Sequence, residues 1–339
     1  MTRRGFLGTS LAAAAFAQAP VKPSPNLGGA PAGFPIRNRL ARERNQPFDF
    51  VEHCHLLGLG VVEVRQPPDP RALRERLEAR GMRAIADIPL PRDAAAVPAF
   101  DAAVKAASEA GIVSLHTAMT QRRYEQFDSY DAFARNFDEC RRTVALAEPV
   151  LRKYRMRLGI ENHKGWRAAE QAAWIRSTGS EWIGVHFDFG NNLALCEDPA
   201  DTLRILQPYT FACHIKDMAV ELYEDGFLLS EVPLGEGMLD IPAMVRSLQA
   251  RDPRIPFDLE MITRDPLRIP VFTAKYWATF DDARSPLPGR DLARTLDLVR
   301  KHKPKSPLPY PSRMAAEEQL KLEDDNISRS IEYARQLGL

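Results

Sequence analysis

Four residues with hard donor atoms, Glu161, Asp188, His214 and Glu260, stand at or near the ends of four short runs rich in apolar and β-branched residues. The intervals between them, 161 to 188, 188 to 214 and 214 to 260, are 27, 26 and 46 positions. Three carboxylates and one imidazole make an oxygen-rich set that suits one divalent ion, Mn2+ first, with Mg2+, Co2+ or Zn2+ as alternatives, and suits a soft metal poorly. Such a set leaves coordination positions open for a substrate. A lone Glu or Asp at a strand end is more often a helix cap or a solvated loop residue, but four in successive strands at repeat spacing point to one site.

The elements that must bring them together follow from the hydrophobic pattern. From about residue 50 the chain repeats one unit, an amphipathic helix, a Gly-containing turn and a short apolar run, which is the pattern of a parallel sheet. Strands are expected at Val61 to Arg65, Arg83 to Pro89, Ile112 to Met119, Arg157 to His163, Ile183 to Gly190, Phe211 to Asp217 and Phe257 to Ile262. Helices are expected at Asp69 to Arg80, Phe100 to Ala110, Tyr130 to Tyr154, Trp166 to Ser177 and Pro199 to Gln207. An eighth strand belongs before the helix around Phe48 to Leu57, and Phe34 to Arg39 is its expected place. No GxGxxG turn follows any strand, which disfavours a doubly wound nucleotide-binding sheet. The expected fold is therefore α/β, a (β/α)8 TIM barrel over residues 35–302, a single domain with a C-terminal helical extension over 303–339. The helical segments Gly289 to His302 and Met314 to Leu337 close the chain, and the second could cap the barrel or support a homo-oligomer.

In a (β/α)8 barrel the inward side chains at the C-terminal strand ends converge on one mouth. Two ligand intervals equal one repeat each, and the third is a repeat plus an insertion at Val220 to Leu239, so all four ligands reach that mouth. Residues two apart on a strand share a face. His163 then faces with Glu161, Lys216 with His214, and His186 with Asp188, although His186 lies deeper and reads as a core histidine. His163, Lys216, His116, Glu63 and Arg65 are candidates for substrate binding. Lys216 could equally pair with Asp217 or another nearby carboxylate. Phe127, Tyr130, Trp166 and Trp277 lie near the mouth, and Trp166 is the aromatic chosen as a sugar-stacking candidate, against ordinary packing as the plainer reading for each.

Lys plus Arg (46) nearly balances Asp plus Glu (45). There is no basic field to collect a phosphate backbone or an anionic membrane, so nucleic acid is excluded as a partner and a small molecule is expected. Four well-separated cysteines without a CxxC pair read as buried thiols. Residues 1–19 carry Thr2-Arg3-Arg4-Gly5-Phe6-Leu7, a short apolar run and Ala15-Phe16-Ala17, the layout of a twin-arginine export signal. A periplasmic or other extracytoplasmic destination follows, with residues 20–34 as a flexible leader and no stable membrane insertion.

The segments Gly159-Ile160-Glu161-Asn162-His163, Phe187-Asp188-Phe189-Gly190-Asn191, His214-Ile215-Lys216-Asp217 and Leu234-Gly235-Glu236-Gly237 closely resemble the sugar phosphate isomerase/epimerase group of xylose isomerase-like barrels. The resemblance runs from about Gly58 to Glu260. It implies that Glu161, Asp188, His214 and Glu260 hold the metal and that Glu161 and Glu260 also act as catalytic acid and base. The implied chemistry is proton abstraction next to a sugar carbonyl, as in isomerisation or epimerisation. Asn191 stands where several ketose epimerases have a histidine, which opens the alternative of a lyase or dehydratase acting on keto-sugars, keto-glycosides or inososes. No Arg/Lys cluster with a Gly-rich turn grips a phosphate, so a non-phosphorylated sugar is the expected substrate. The related abasic-site endonucleases need further histidines that this chain lacks. A non-catalytic sugar-binding barrel is the remaining alternative.

Overall fold

In the computed structural model, which describes residues 24–65, 69–304 and 306–339, eight parallel strands close on themselves. They are β1 (Ser24–Gly29), β2 (Leu59–Arg65), β3 (Arg83–Asp87), β4 (Ser114–Thr117), β5 (Leu158–Glu161), β6 (Ile183–Asp188), β7 (Thr210–Ile215) and β10 (Phe257–Leu259). Their order around the barrel is β1-β10-β7-β6-β5-β4-β3-β2. Between β7 and β10 the chain inserts a hairpin of β8 (Asp217–Tyr223) and β9 (Gly226–Val232), to which β11 (Leu267–Ile269) adds a third antiparallel strand. This is the insertion that lengthens the last ligand interval. The expected export signal lies outside the described residues.

The helices are α1 (Pro35–Glu43), α2 (Phe50–Leu56), α3 (Pro70–Arg80), α4 (Val97–Glu109), α5 (Arg123–Gln126), α6 (Tyr130–Tyr154), α7 (Ala168–Thr178), α8 (Pro199–Leu206), α9 (Ile241–Arg251), α10 (Ala274–Trp277), α11 (Gly289–Lys301) and α12 (Ala316–Gln336). Many begin where a short polar side chain takes up a free backbone N–H: Asp69 accepts from Ala72, Ser129 from Ala132, and Asp240 from Ala243. Their apolar faces and the outer faces of the strands form one continuous core, which includes Leu115, Leu158, Ile160, Val185, Ile215 and Leu259. All four cysteines are free and buried, in line with their reading as core thiols. No described helix is long and apolar enough to cross a membrane.

Two expectations at the N-terminal side are corrected. The segment Phe34 to Arg39 is not the first strand, since Pro35–Glu43 is helical and Pro35 at the first turn starts it. The first strand is Ser24–Gly29, inside the span expected to be a flexible leader. Its composition hid it: Pro25, Gly28 and Gly29 look like a linker, but Gly28 is there because of a close approach. A Cβ on Gly28 would lie 1.9 Å from Asp258 Oδ1 and 2.8 Å from Val61 Cβ. The α12 helix packs against α1 and is anchored by buried Glu323, which accepts the backbone N–H groups of Ile36 and Arg37, each at 2.8 Å.

Candidate metal centre

The barrel interior is layered. A small apolar floor of Val61, Ile85 and Ala212 lies below a layer of titratable groups. Strand register sets that layer: Glu161 pairs beside His186, Asp188 beside His214, and His214 beside Asp258. Gly159 leaves the room that makes this possible, because a Cβ there would approach His186 to 3.0 Å or less. Into that room fits a triangle of imidazoles, with ring centroids of His116 and His186 4.2 Å apart, His186 and His214 4.1 Å apart, and His116 and His214 4.9 Å apart.

Glu63 ties two of these rings together. Its Oε1 lies 2.7 Å from His116 Nδ1 and its Oε2 lies 3.0 Å from His214 Nε2. His116 Nε2 reaches Glu161 Oε2 at 3.1 Å. Burial opposes ionisation of Glu63, but the charges and hydrogen bonds of His116 and His214 outweigh it and hold its carboxyl well below the usual range. Burial also disfavours a charged His116, yet Glu63 and Glu161 raise it well above the ordinary histidine value. His116 is thus an imidazolium donating to two carboxylates. His186 is different: burial, with His214 and His116 beside it, keeps it neutral, and neither of its ring nitrogens has a partner.

The four predicted ligands, of which His214 also belongs to the imidazole triangle, are each at least nine-tenths buried. Donor atoms of Glu161, Asp188 and His214 lie within 4.8 Å of one another. Glu260 joins them, with Oε1 3.6 Å from His214 Nδ1. Lys216 spans two of the carboxylates, its Nζ donating to Asp188 Oδ2 at 2.7 Å and to Glu260 Oε2 at 2.5 Å. Of the two pairings expected for Lys216, the one with nearby carboxylates is realised and the one with Asp217 is not. Burial pushes Glu260 up, but Lys216 and His214 bring it down to about 2. Burial lowers His214 while Glu260 and Glu63 lift it to about 9.

These residues fit a divalent ion. Asp188 Oδ1 and His214 Nδ1 are buried without a hydrogen-bond partner, which is the condition of donor atoms awaiting a ligand. Glu63 occupies His214 Nε2, so Nδ1 is the nitrogen left for a metal, the usual arrangement of a carboxylate behind a ligating histidine.

The remaining predicted residues separate. His163 stays partly exposed at the mouth, with Nδ1 donating to the carbonyl of Thr120 at 2.8 Å, which leaves Nε2 as an acceptor. Arg65 is exposed at the rim, two residues beyond Glu63. Glu63 and His116 hold two of the ligands, with their polar atoms engaged by His214, Glu161 and each other. Trp166 is corrected: it is wholly buried, packed against Phe137 and Trp174 at centroid distances of 5.5 and 5.1 Å, and belongs to the core. In the His214-Ile215-Lys216-Asp217 segment, Asp217 is structural, accepting the N–H groups of Met218, Gly235, Gly237 and Leu239.

Several site residues escaped the sequence reading. Buried Lys164, in the turn after β5, donates to Asn191 Oδ1. Asn191 Nδ2 in turn contacts Asp188 and lies 3.2 Å from Glu161 Oε1. Buried Glu231 on β9 pairs with Arg264. Asp258 is buried below Glu260, both its oxygens are unpartnered, and burial holds its carboxyl well above the usual range. Alternation alone could have flagged Asp258, two residues before Glu260. A cleft lined by Asp87, Arg92, Thr117, Met119 and Asn136 opens beside the cluster, and Asp87 is near enough to feel the charges of His116, Glu63 and Glu161.

A closed parallel barrel with a cluster of carboxylates and imidazoles that could hold a metal at its mouth defines the class, a (β/α)8 barrel. The model of the xylose isomerase-like TIM barrel family matches residues 44–279, and the chain belongs to that family. Among curated proteins it is similar to 3-oxo-isoapionate decarboxylase of Pectobacterium atrosepticum, at 27% identity over 120 residues. That match covers 35% of this chain and 44% of the relative, so it spans less than half the length of either. Among solved structures it resembles a xylose isomerase domain protein from Planctomyces limnophilus, with TM-score 0.50, 17% identity, and 74% and 91% of the two chains covered. The probable 3-DHS dehydratase AsbF from Bacillus anthracis gives TM-score 0.53 at 13% identity, covering 69% and 92%. A D-tagatose 3-epimerase-like protein gives 0.50 at 13% identity, covering 89% and 99%.

Proposed function

We propose that this protein is a divalent-metal-dependent enzyme that removes a proton next to the carbonyl of a small sugar, as an isomerase or epimerase does. The observation that carries this reading is the convergence of Glu161, Asp188, His214 and Glu260 around two unpartnered donor atoms. A bound divalent ion would supply Lewis acidity to the carbonyl and neighbouring hydroxyl oxygens, stabilising the charge that develops as the proton leaves. Glu161 on β5 and Glu260 just beyond β10 approach from the two flanks of the β6–β7 pair. One takes the proton from carbon and the other returns one, at the same carbon from the opposite face or at its neighbour. Lys216 faces the same space and can steady the oxygen on which charge builds. His163 offers Nε2 to a substrate hydroxyl.

A lyase reading has one specific support, the sequence similarity to a curated decarboxylase. Loss of carbon dioxide from a 3-oxo acid leaves the same stabilised carbanion as proton removal, so the same residues serve. Mn2+ is the ion we favour, and extracytoplasmic placement by the N-terminal signal remains part of the proposal.

The test is to load the purified protein with Mn2+, desalt it, measure bound metal, and incubate it with keto-sugars in D2O under NMR. About one ion per chain, solvent deuterium at the carbon next to the carbonyl, and loss of both in Glu161→Gln are expected. Absence of metal from loaded wild-type protein sinks the proposal, and metal and sugar binding without exchange favours a binding protein.

A further inference from the structure

The four ligands do not use Lys164. It leaves β5 three residues after Glu161, is 2% exposed, and donates to the side-chain oxygen of Asn191. Other cations of the site have carboxylate partners: Lys216 holds Asp188 and Glu260, Arg264 holds Glu231, and His116 holds Glu63 and Glu161. Among the described residues Lys164 has no such ion pair. An ammonium withdrawn from water with one neutral acceptor and two N–H groups to spare is costly unless an anion completes it.

Charge balance points the same way. Glu63, Glu161, Asp188, Glu231 and Glu260 face His116, Lys164, Lys216 and Arg264, so the residues alone come close to neutrality. Adding a divalent ion at the four ligands tips the mouth to net positive. Lys164 is one side chain away from the cluster: the Asn191 amide that accepts from its ammonium also contacts Asp188 and lies 3.2 Å from Glu161 Oε1.

We propose that the mouth takes a keto-sugar acid whose carboxylate is received by Lys164 Nζ. This rests on the preceding reading in that the sugar carbonyl must sit over the four ligands. A single point charge without a Gly-rich turn or helix N-terminus suits a carboxylate better than a phosphate. No motif in the sequence announces the anion site, because its one cation, Lys164, comes from the turn after β5.

Calorimetry on the full, Mn2+-loaded protein at pH 7 tests it with D-fructose, 2-keto-D-gluconate and D-fructose 6-phosphate. The first two share their configuration and differ in carrying a CH2OH or a carboxylate at C1. The acid should bind about 10- to 100-fold tighter than fructose, the range of one charge-assisted hydrogen bond. Lys164→Met should bring that ratio, taken between the two sugars on the same metal-loaded variant, to near one. A wild-type ratio near one, a ratio unchanged in the variant, or a preference for the phosphate overturns the proposal, and the wild-type ratio decides even if the variant does not fold. Acid preference without deuterium exchange on any sugar would leave this inference standing and sink the enzymatic one; exchange without acid preference does the reverse.

Discussion

At the scale of single residues, the site separates groups that touch a ligand from groups that aim them. Glu63 is the chief aiming residue, since it fixes the nitrogen His214 presents and holds the His116 imidazolium against Glu161. Glu63→Gln should lower metal affinity about 10- to 100-fold with the fold intact, measured by titration with Mn2+ and by circular dichroism. Lys164 gives a pH signature. Burial, reinforced by Lys216, lowers it to about 8, so the charged form is lost as pH rises through about 8. The preference for a carboxylate over a neutral ketose should accordingly shrink between pH 7 and pH 9 in the same calorimetry; an undiminished ratio at pH 9 removes Lys164 from that role. That Glu161, Asp188, His214 and Glu260 converge was legible in the sequence because their types and intervals follow the barrel repeat. The contacts behind them were not. Alternation places Glu63 and His116 on the inward face, but only the structure shows that their polar atoms are taken up by His214, Glu161 and each other. Trp166 illustrates the other limit, since an aromatic beside a mouth and one packed on Phe137 and Trp174 have the same sequence signature.

Among the elements, seven barrel strands were readable from their apolar runs, and β1 was not. A strand of Ser24–Gly29 with two glycines and a proline scores as linker on any propensity. The glycines answer to neighbours distant in sequence, Asp258 and Val61 for Gly28, and Cys54 for Gly29. Gly28→Ala should therefore destabilise the protein by at least about 2 kcal/mol in urea unfolding, because both contacts are in a closed barrel wall with little room to relax. Near wild-type stability would mean the wall gives way more easily than its packing indicates. The β8–β9 hairpin is the other element whose meaning was hidden. The sequence marked it as an insertion, and only the fold reveals that it carries a buried carboxylate, Glu231, paired with Arg264.

For the whole molecule, the C-terminal helix is bound to α1 by the buried carboxyl of Glu323, beside the pairs Arg37–Asp324, Arg39–Gln319 and Arg44–Glu317 nearer solvent. Burial lifts Glu323 to about 7 despite the backbone N–H groups it accepts. A carboxyl raised on folding contributes stability below its unfolded value, near 4.5, and that contribution is lost as pH rises through about 7. The stability of wild type relative to Glu323→Gln should therefore fall by on the order of 2 kcal/mol between pH 5 and pH 8. Urea unfolding of both proteins at the two pH values checks this, and a difference constant with pH would refute it.

Barrel closure has a consequence for how the site comes into being. Strand β1 meets β10 through Leu27 beside Phe257 and Gly29 beside Leu259, and Glu260 is the very next residue. The fourth ligand is thus set in place by the same pairing that shuts the barrel. A chain folded as far as β7 could offer Glu161, Asp188 and His214 in rough order, but not the complete set. The proposed metal ion would then act as an inspector of completed folding: its retention would distinguish the closed molecule from every partly wound form of the same chain.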